Sequence, residues 1–170
     1  GPLESLIGDI HDGTMLAASE ANASGAYIHG TINVPQGDSK CIDADAAISE
    51  AERLIHDENV IALVGPNCSG VTTAVINNVT APLGVVNISP SATSPALSTI
   101  EDNGFFFRTA PSDARQGQVL ANIAMGRGIT SVAVTYTNND YGKGLADAFI
   151  GAYEALGGTV TVNSGHEEGK

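Results

Sequence analysis

The residues best placed to do chemistry stand in three loops. Gly65-Pro-Asn-Cys-Ser-Gly70-Val-Thr72 has the G-x-x-x-x-G frame of a phosphate-binding loop, but Val71 occupies the place of the motif's lysine. Without that lysine a triphosphate is poorly neutralised. What remains is a small-residue loop opening a helix, whose free N–H groups and positive dipole end suit one compact anion such as a carboxylate. Ser69 adds a hydroxyl that donates or accepts. The same residues also fit a plain tight turn in which Ser69 caps the helix. The second loop is Ser89-Pro-Ser-Ala-Thr-Ser-Pro95. Its prolines stiffen it, so that Ser91, the Ala92 backbone and the Thr93 hydroxyl can meet a ligand with little ordering cost. A polar surface loop has the same composition. In the third, Asn138-Asn-Asp-Tyr-Gly142, Tyr141 is expected at a helix start, where it can stack on a ligand, offer its hydroxyl, or simply pack on the sheet edge.

Signals for catalysis or metal binding are weak. Asn67 stands where a nucleophile elbow around Ser69 needs glycine. His11, His29, His56 and His166 are scattered and read as surface residues, and Asp43 and Asp45 as helix-start residues. Cys41 and Cys68, 27 residues apart, belong to no C-x-x-C motif and have no histidine nearby in sequence, which argues against zinc. Their positions could meet on one face of a sheet, so buried thiols and a disulfide both remain open. Sequons at Asn22, Asn67, Asn78 and Asn87 matter only in a eukaryotic secreted setting, and Asn87 reads as part of a buried strand. No catalytic residue, metal or cofactor is assigned.

These loops need a framework, and the composition supplies one. The chain has 170 residues, 42% of them hydrophobic, enough for a core of Ala, Val, Ile and Leu since Trp is absent. Nineteen acidic residues against seven basic ones give a net charge of −12, which disfavours nucleic acid and anionic lipid as partners. No apolar run approaches the roughly 20 residues of a membrane helix. Gly1-Pro2-Leu3 opens the chain abruptly and can be a cleavage scar, so the lack of a leader says nothing about compartment.

Strands are expected at Ile28–Val34, Val60–Val64, Val85–Ile88, Phe105–Arg108, Ser131–Thr135 and Thr159–Val162. Helical spacing connects Ile48, Ala51, Leu54 and Ile55 (with Asp43 or Asp45 as N-cap), then Val71, Ala74, Val75 and Asn78, then Leu120, Ile123 and Ala124, then Leu145, Ala148, Phe149 and Leu156. Alternation of this kind predicts an α/β fold, doubly wound around a largely parallel sheet, with Val60–Val64 covered on both faces. Ligands in such folds bind beyond the carboxyl ends of strands, where the three loops lie. Thr109-Ala-Pro-Ser-Asp113, with Ser112 or Asp113 as a cap, is either a domain crossing or an ordinary loop.

The ordered set of motifs resembles the type I periplasmic binding proteins, in particular their branched-chain amino-acid-binding branch. It comprises Asp12-Gly13, Gly65-Pro66 with Cys68-Ser69, Ser89–Pro95, Phe107–Asp113, Gln116-Gly117 and Asn139-Asp-Tyr-Gly-Lys-Gly-Leu145, and covers nearly the whole chain. The resemblance implies two lobes closing on a ligand at a hinge, the first over residues 1–110 and the second from 111–170. Ser69 matches the residue that binds the ligand α-carboxylate. Ala92 and Thr93, with Ser91 beside them, match the grip on carboxylate and ammonium, and Tyr141 matches a contact from the second lobe. Cys41 and Cys68 match a disulfide of the leucine-type binders, and Leu6 and Ile7 a segment touching the ligand side chain. The implied function is capture of a small, branched-chain or aliphatic amino acid in the periplasm, without chemistry, for delivery to an ABC transporter permease. The alternative is a sensory-receptor ectodomain of the same fold. An enzyme on a Rossmann-like scaffold would need a cofactor fingerprint, and none is seen. The resemblance also places a strand ahead of Gly1-Pro2-Leu3 and further second-lobe sequence after Lys170. The residues that select the side chain and the usual acidic partner of the ammonium would lie in that later part. Both lobes are therefore expected to be incomplete, and tight binding by the chain alone is not expected.

Overall fold

The computed structural model describes residues 7–167. Five strands form two sheets, both parallel. The first has the order β1 (Ala62–Val64), β2 (Val86–Ser89), β3 (Phe106–Arg108), and the second pairs β4 (Ser131–Thr137) with β5 (Thr159–His166). Parallel neighbours need crossover connections. The β1–β2 crossover is a continuous helix, α3 (Ser69–Val75), a π turn (Ile76–Thr80) and α4 (Ala81–Leu83). The β2–β3 connection carries a 3-10 turn at Pro95–Ser98, and β4 reaches β5 through α6 (Asp140–Ala155).

The remaining helices are α1 (Gly8–Ser24), α2 (Ala44–His56) and α5 (Asp113–Gly126). Asp43 caps α2, its side chain accepting from the Ala46 N–H, and Ser112 caps α5 by accepting from Ala114. The core around β1 is aliphatic: Ala47 and Ala51 of α2 pack with Leu63, Val71, Val75 and Val79. A second cluster joins Ile76, Ala81, Ala92, Leu97 and Phe106. The packing of α2 on α3 is pinned covalently, because Cys41 and Cys68 form a disulfide with Cα atoms 5.3 Å apart. Arg53 fastens the strap before α2, holding Glu50 through two nitrogens at 3.0 and 2.9 Å and the Gln36 carbonyl at 3.0 Å.

Two sequence expectations fail, each because a partner decides the outcome. Ile28–Val34 is not a strand: the Asn22 side chain takes both backbone groups of Ile32, at 2.8 and 3.0 Å, and no described strand runs beside the segment. Val60–Val64 is not covered on both faces. It shortens to Ala62–Val64 at the sheet edge, burying Leu63 while Ile61 is 84% and Val64 59% exposed. Helix α5 forms with Leu120 and Ile123 exposed, and the residues it buries are Asp113, Gly117 and Ala121. Gly117 has no room for a side chain, since a Cβ there would stand 2.6 Å from the Phe149 nitrogen. The other strands shift by one residue at an end or, in the second sheet, extend: Val85–Ile88 becomes Val86–Ser89, Phe105–Arg108 becomes Phe106–Arg108, and the β4 and β5 ends move to Thr137 and His166.

Candidate functional site

The site grows from the carboxyl ends of β1 and β2. After β1 the chain turns at Gly65, whose φ of 116° a side-chain-bearing residue rarely adopts. Two inward-facing polar residues of β2 hold this turn: Asn87 donates to the Gly65 carbonyl, and Ser89 Oγ donates to the Pro66 carbonyl at 2.6 Å. Thr72 Oγ1 donates to the Cys68 carbonyl at 2.9 Å, with the Pro66 carbonyl 3.2 Å away. Two buried donors of β2 thus fix two carbonyls, which explains why β2 buries Asn87 and Ser89 rather than its aliphatic residues.

Cys68, not Ser69, is the N-cap of α3, and it makes no side-chain cap bond. Ser69 is the first helical residue, only 3% exposed, and its Oγ accepts from the Ser94 N–H at 3.1 Å. Next to it Ser91 Oγ donates to the Asn67 carbonyl at 2.9 Å. The first loop is therefore bonded to the second on both sides of the disulfide-bound Cys68. Thr72 has the first N–H with a carbonyl partner inside α3, on Cys68 at 3.0 Å. The N–H groups ahead of it are the ones a helix leaves for an anion.

Ala92 is fully buried, its N–H on Ser89 Oγ at 3.1 Å and its carbonyl 3.3 Å from Arg108 Nη1. Arg108 also donates to the Ser94 carbonyl at 2.8 Å and to Ser98 Oγ at 2.5 Å. Thr93 turns the other way, donating its hydroxyl to Asp113 Oδ2 at 2.7 Å while the Asp113 N–H donates to the Thr93 carbonyl at 2.9 Å. Burial raises the Asp113 carboxyl above its ordinary value, opposed by the Thr93 bond and the Arg108 charge. Burial likewise lowers Arg108, and Asp113 opposes it.

Tyr141 lies in the first turn of α6, behind the Asn139 cap, and is 46% exposed. Its helix meets the first sheet's loops: the Asp140 carboxylate comes within 3.9 Å of where a Gly70 Cβ would stand, and Gly144 lies against Ser94 and Pro95. Ile7 precedes α1, and Leu6 lies outside the described residues.

The structure thus brings Ser69, Ser91, Ala92 and Thr93 together and sets the start of α6, with Tyr141, beside them. Sequence reasoning missed Asp113 as part of this constellation, reading it as a possible helix cap within the Phe107–Asp113 motif, since its bond to Thr93 twenty residues earlier leaves no local mark. A cavity of about 110 Å³ lies under Gly37 and Ser39 between α2 and β1, and reaches Gly65, Pro66 and Asn67 of the site loop.

The arrangement has donors for an anion, an acceptor-only hydroxyl at Thr93, and a buried carboxylate. The hydrogen-bond partner of Ser69 Oγ is the Ser94 backbone N–H rather than a basic side chain.

Known proteins share this frame. Residues 12–168 match the family described as "Receptor family ligand binding region". The "Chemotactic signal transduction system substrate-binding protein BasB" of Halobacterium salinarum is 33% identical over 86% of the chain and 37% of its own length. The "Leu/Ile/Val-binding protein BraC3" of Rhizobium johnstonii is 30% identical over 96% of the chain and 44% of its own. Among solved structures, the branched-chain amino acid transporter substrate-binding protein LivJ of Streptococcus pneumoniae, in complex with isoleucine, superposes with a TM-score of 0.79 at 30% identity, over 94% of this chain and 44% of that one. The chain therefore spans less than half the length of these relatives. With this match over nearly all the described residues, the chain belongs to the receptor ligand-binding-region family and has the type I periplasmic binding protein fold.

Proposed function

We propose that the chain forms part of an extracytoplasmic binding protein that captures a small aliphatic amino acid between two lobes, residues 1–110 and the segment from 111, and presents it to an ABC transporter permease. The observation that carries this reading is the junction of the two post-strand loops through Ser69 Oγ and the Ser94 N–H, with the Asp113 carboxylate one residue away on Thr93. The start of α3 offers N–H groups to the ligand carboxylate. The Ser69 hydrogen is free for the same carboxylate, because its oxygen is the acceptor in the Ser94 bond. Thr93 gives its hydrogen to Asp113, so toward a ligand its oxygen only accepts, which suits an ammonium. Asp113 supplies the balancing negative charge. A zwitterion thus finds its two charges matched a short distance apart, and Tyr141 covers it from α6.

In this reading capture is binding alone: Ser69 Oγ is held by a backbone N–H, and the Thr93–Asp113 pair serves the ligand ammonium. The names of the relatives support an amino-acid ligand, and the Halobacterium protein's name favours a second reading in which the loaded form signals to a chemotaxis system. Calorimetry on the intact gene product with leucine, valine, alanine and glutamate tests the ligand class: leucine or valine should bind and glutamate should not. Deleting the gene should abolish uptake of labelled leucine. Intact uptake with lost taxis toward leucine would replace the transport reading by the sensory one.

A further inference from the structure

Helix α6 contains Gly142, Gly144 and Gly151, although glycine is a poor helix former. The three have different surroundings. A Cβ on Gly142 would run into the Thr137 carbonyl, so Gly142 lets α6 start against the end of β4. Gly151 has nothing within 4 Å of a Cβ. A Cβ on Gly144 would stand 2.9 Å from Pro95 Cδ and 3.1 Å from Ser94 Oγ, atoms of the loop after β2. Gly144 is therefore small because of what it meets across the two sheets.

Neither side of this contact yields easily. Ser94 is 2% exposed, its N–H held by Ser69 and its carbonyl by Arg108, and Pro95 is a rigid ring opening the 3-10 turn. On the other side α6 is seated on β4 through Gly142 and locked to α5, because Gly117 lies against the backbone of Ala148 and Phe149. A methyl group at 144 is thus accommodated by moving α6 and its sheet away from the loop. Tyr141 is one turn earlier on the same helix and moves with it.

We propose that Gly144 sets how closely the second sheet's unit can close on the Ser89–Pro95 loop, and through that the affinity for ligand, without touching the ligand itself. This rests on the reading that an amino acid binds between the two units. Gly144 is a positioning residue, and its signature is a split between stability and affinity.

The test uses the intact gene product with Gly144→Ala, Gly144→Val and, as a control on the same helix, Gly151→Ala. Thermal melting without ligand, calorimetry with leucine, and the radius of gyration with and without leucine by small-angle X-ray scattering are measured. Gly144→Ala should melt no lower than the native protein, as alanine is the better helix former. It should bind leucine about tenfold more weakly, as expected if the closed population falls by that factor. Its compaction on adding leucine should shrink as well, and Gly144→Val should extend both effects. Gly151→Ala should leave affinity and compaction unchanged. Native affinity and compaction in Gly144→Ala would overturn the inference alone, as would a loss of ligand-free stability matching the loss of affinity. A native protein that binds none of leucine, valine, alanine and glutamate refutes the functional reading and this inference with it.

Discussion

Thr93 and Asp113 are bonded to each other twice, hydroxyl to carboxylate at 2.7 Å and N–H to carbonyl at 2.9 Å, across the segment where the chain leaves the first sheet for the second. The pair ties the Ser89–Pro95 loop to the start of α5, so a change at either residue reaches both the candidate site and the helix.

Asp113 also gives a pH signature. Burial raises its folded pKa above the unfolded value of 3.8. A carboxyl shifted upward binds its proton better in the folded state, so its contribution is fully present below pH 3.8 and is lost as pH rises through the folded value. Asp113→Asn removes this titration. The stability of the native protein relative to the variant should therefore fall as pH rises from below 3.8 and level off once the folded carboxyl has titrated, as a pH series of urea melts would show. A relative stability that rises with pH would mean that Thr93 and Arg108 outweigh burial.

Ser69→Ala should weaken amino-acid binding in the intact gene product by about 1.5–3 kcal/mol, the range for a hydrogen bond to a charged group. Ser69 also accepts from the Ser94 N–H, so some loss of stability should accompany it. Calorimetry and a melt on the same variant separate the two.

Mass spectrometry of oxidised protein should find no free thiol at Cys41 or Cys68. The closed loop spans 27 residues, and opening it should lower stability by about 3–4 kcal/mol on the chain-entropy model. Because Cys68 lies between Asn67 and Ser69, which bond the second loop, reduction should also weaken ligand binding.

Salt should stabilise the protein. Raising NaCl from about 0.1 to 1 M shortens the screening length from roughly 10 to 3 Å. The ion pairs Lys40–Asp38, Lys143–Asp147 and Arg53–Glu58 are exposed and contribute little, so weakening them matters less than damping the repulsion within a net charge of −12. Calorimetric melting temperature should rise with NaCl, and a fall would show that the pairs dominate.

The sequence alone determined what depends on neighbours along the chain. An aspartate before a helical stripe reads as a cap, Asp43 or Asp45 by spacing and Asp43 in the fold, and the alternation of apolar runs with amphipathic stretches dictates parallel pairing. The hydroxyl-rich composition of Ser89–Pro95 after a strand marked a candidate loop, and the motif set marked the family. Only the tertiary structure decided what depends on a partner distant in sequence. Ile28–Val34 has strand composition, but a strand forms only against another strand, and Asn22 satisfies its backbone instead. The α5 pattern offers more than one helical face, and only α6 selects Gly117 and Ala121 over Leu120 and Ile123. The Ser69 hydroxyl suits a cap or a ligand equally well by type, and the loop 25 residues later assigns its lone pair to Ser94. Asp113 reads as a possible helix cap, and the fold instead buries it beside Thr93 in the candidate site. Periodicity and capping are local and legible in order. Hydrogen-bond assignment and burial are set by whichever groups the fold brings within about 3 Å, and no spacing in the chain encodes that.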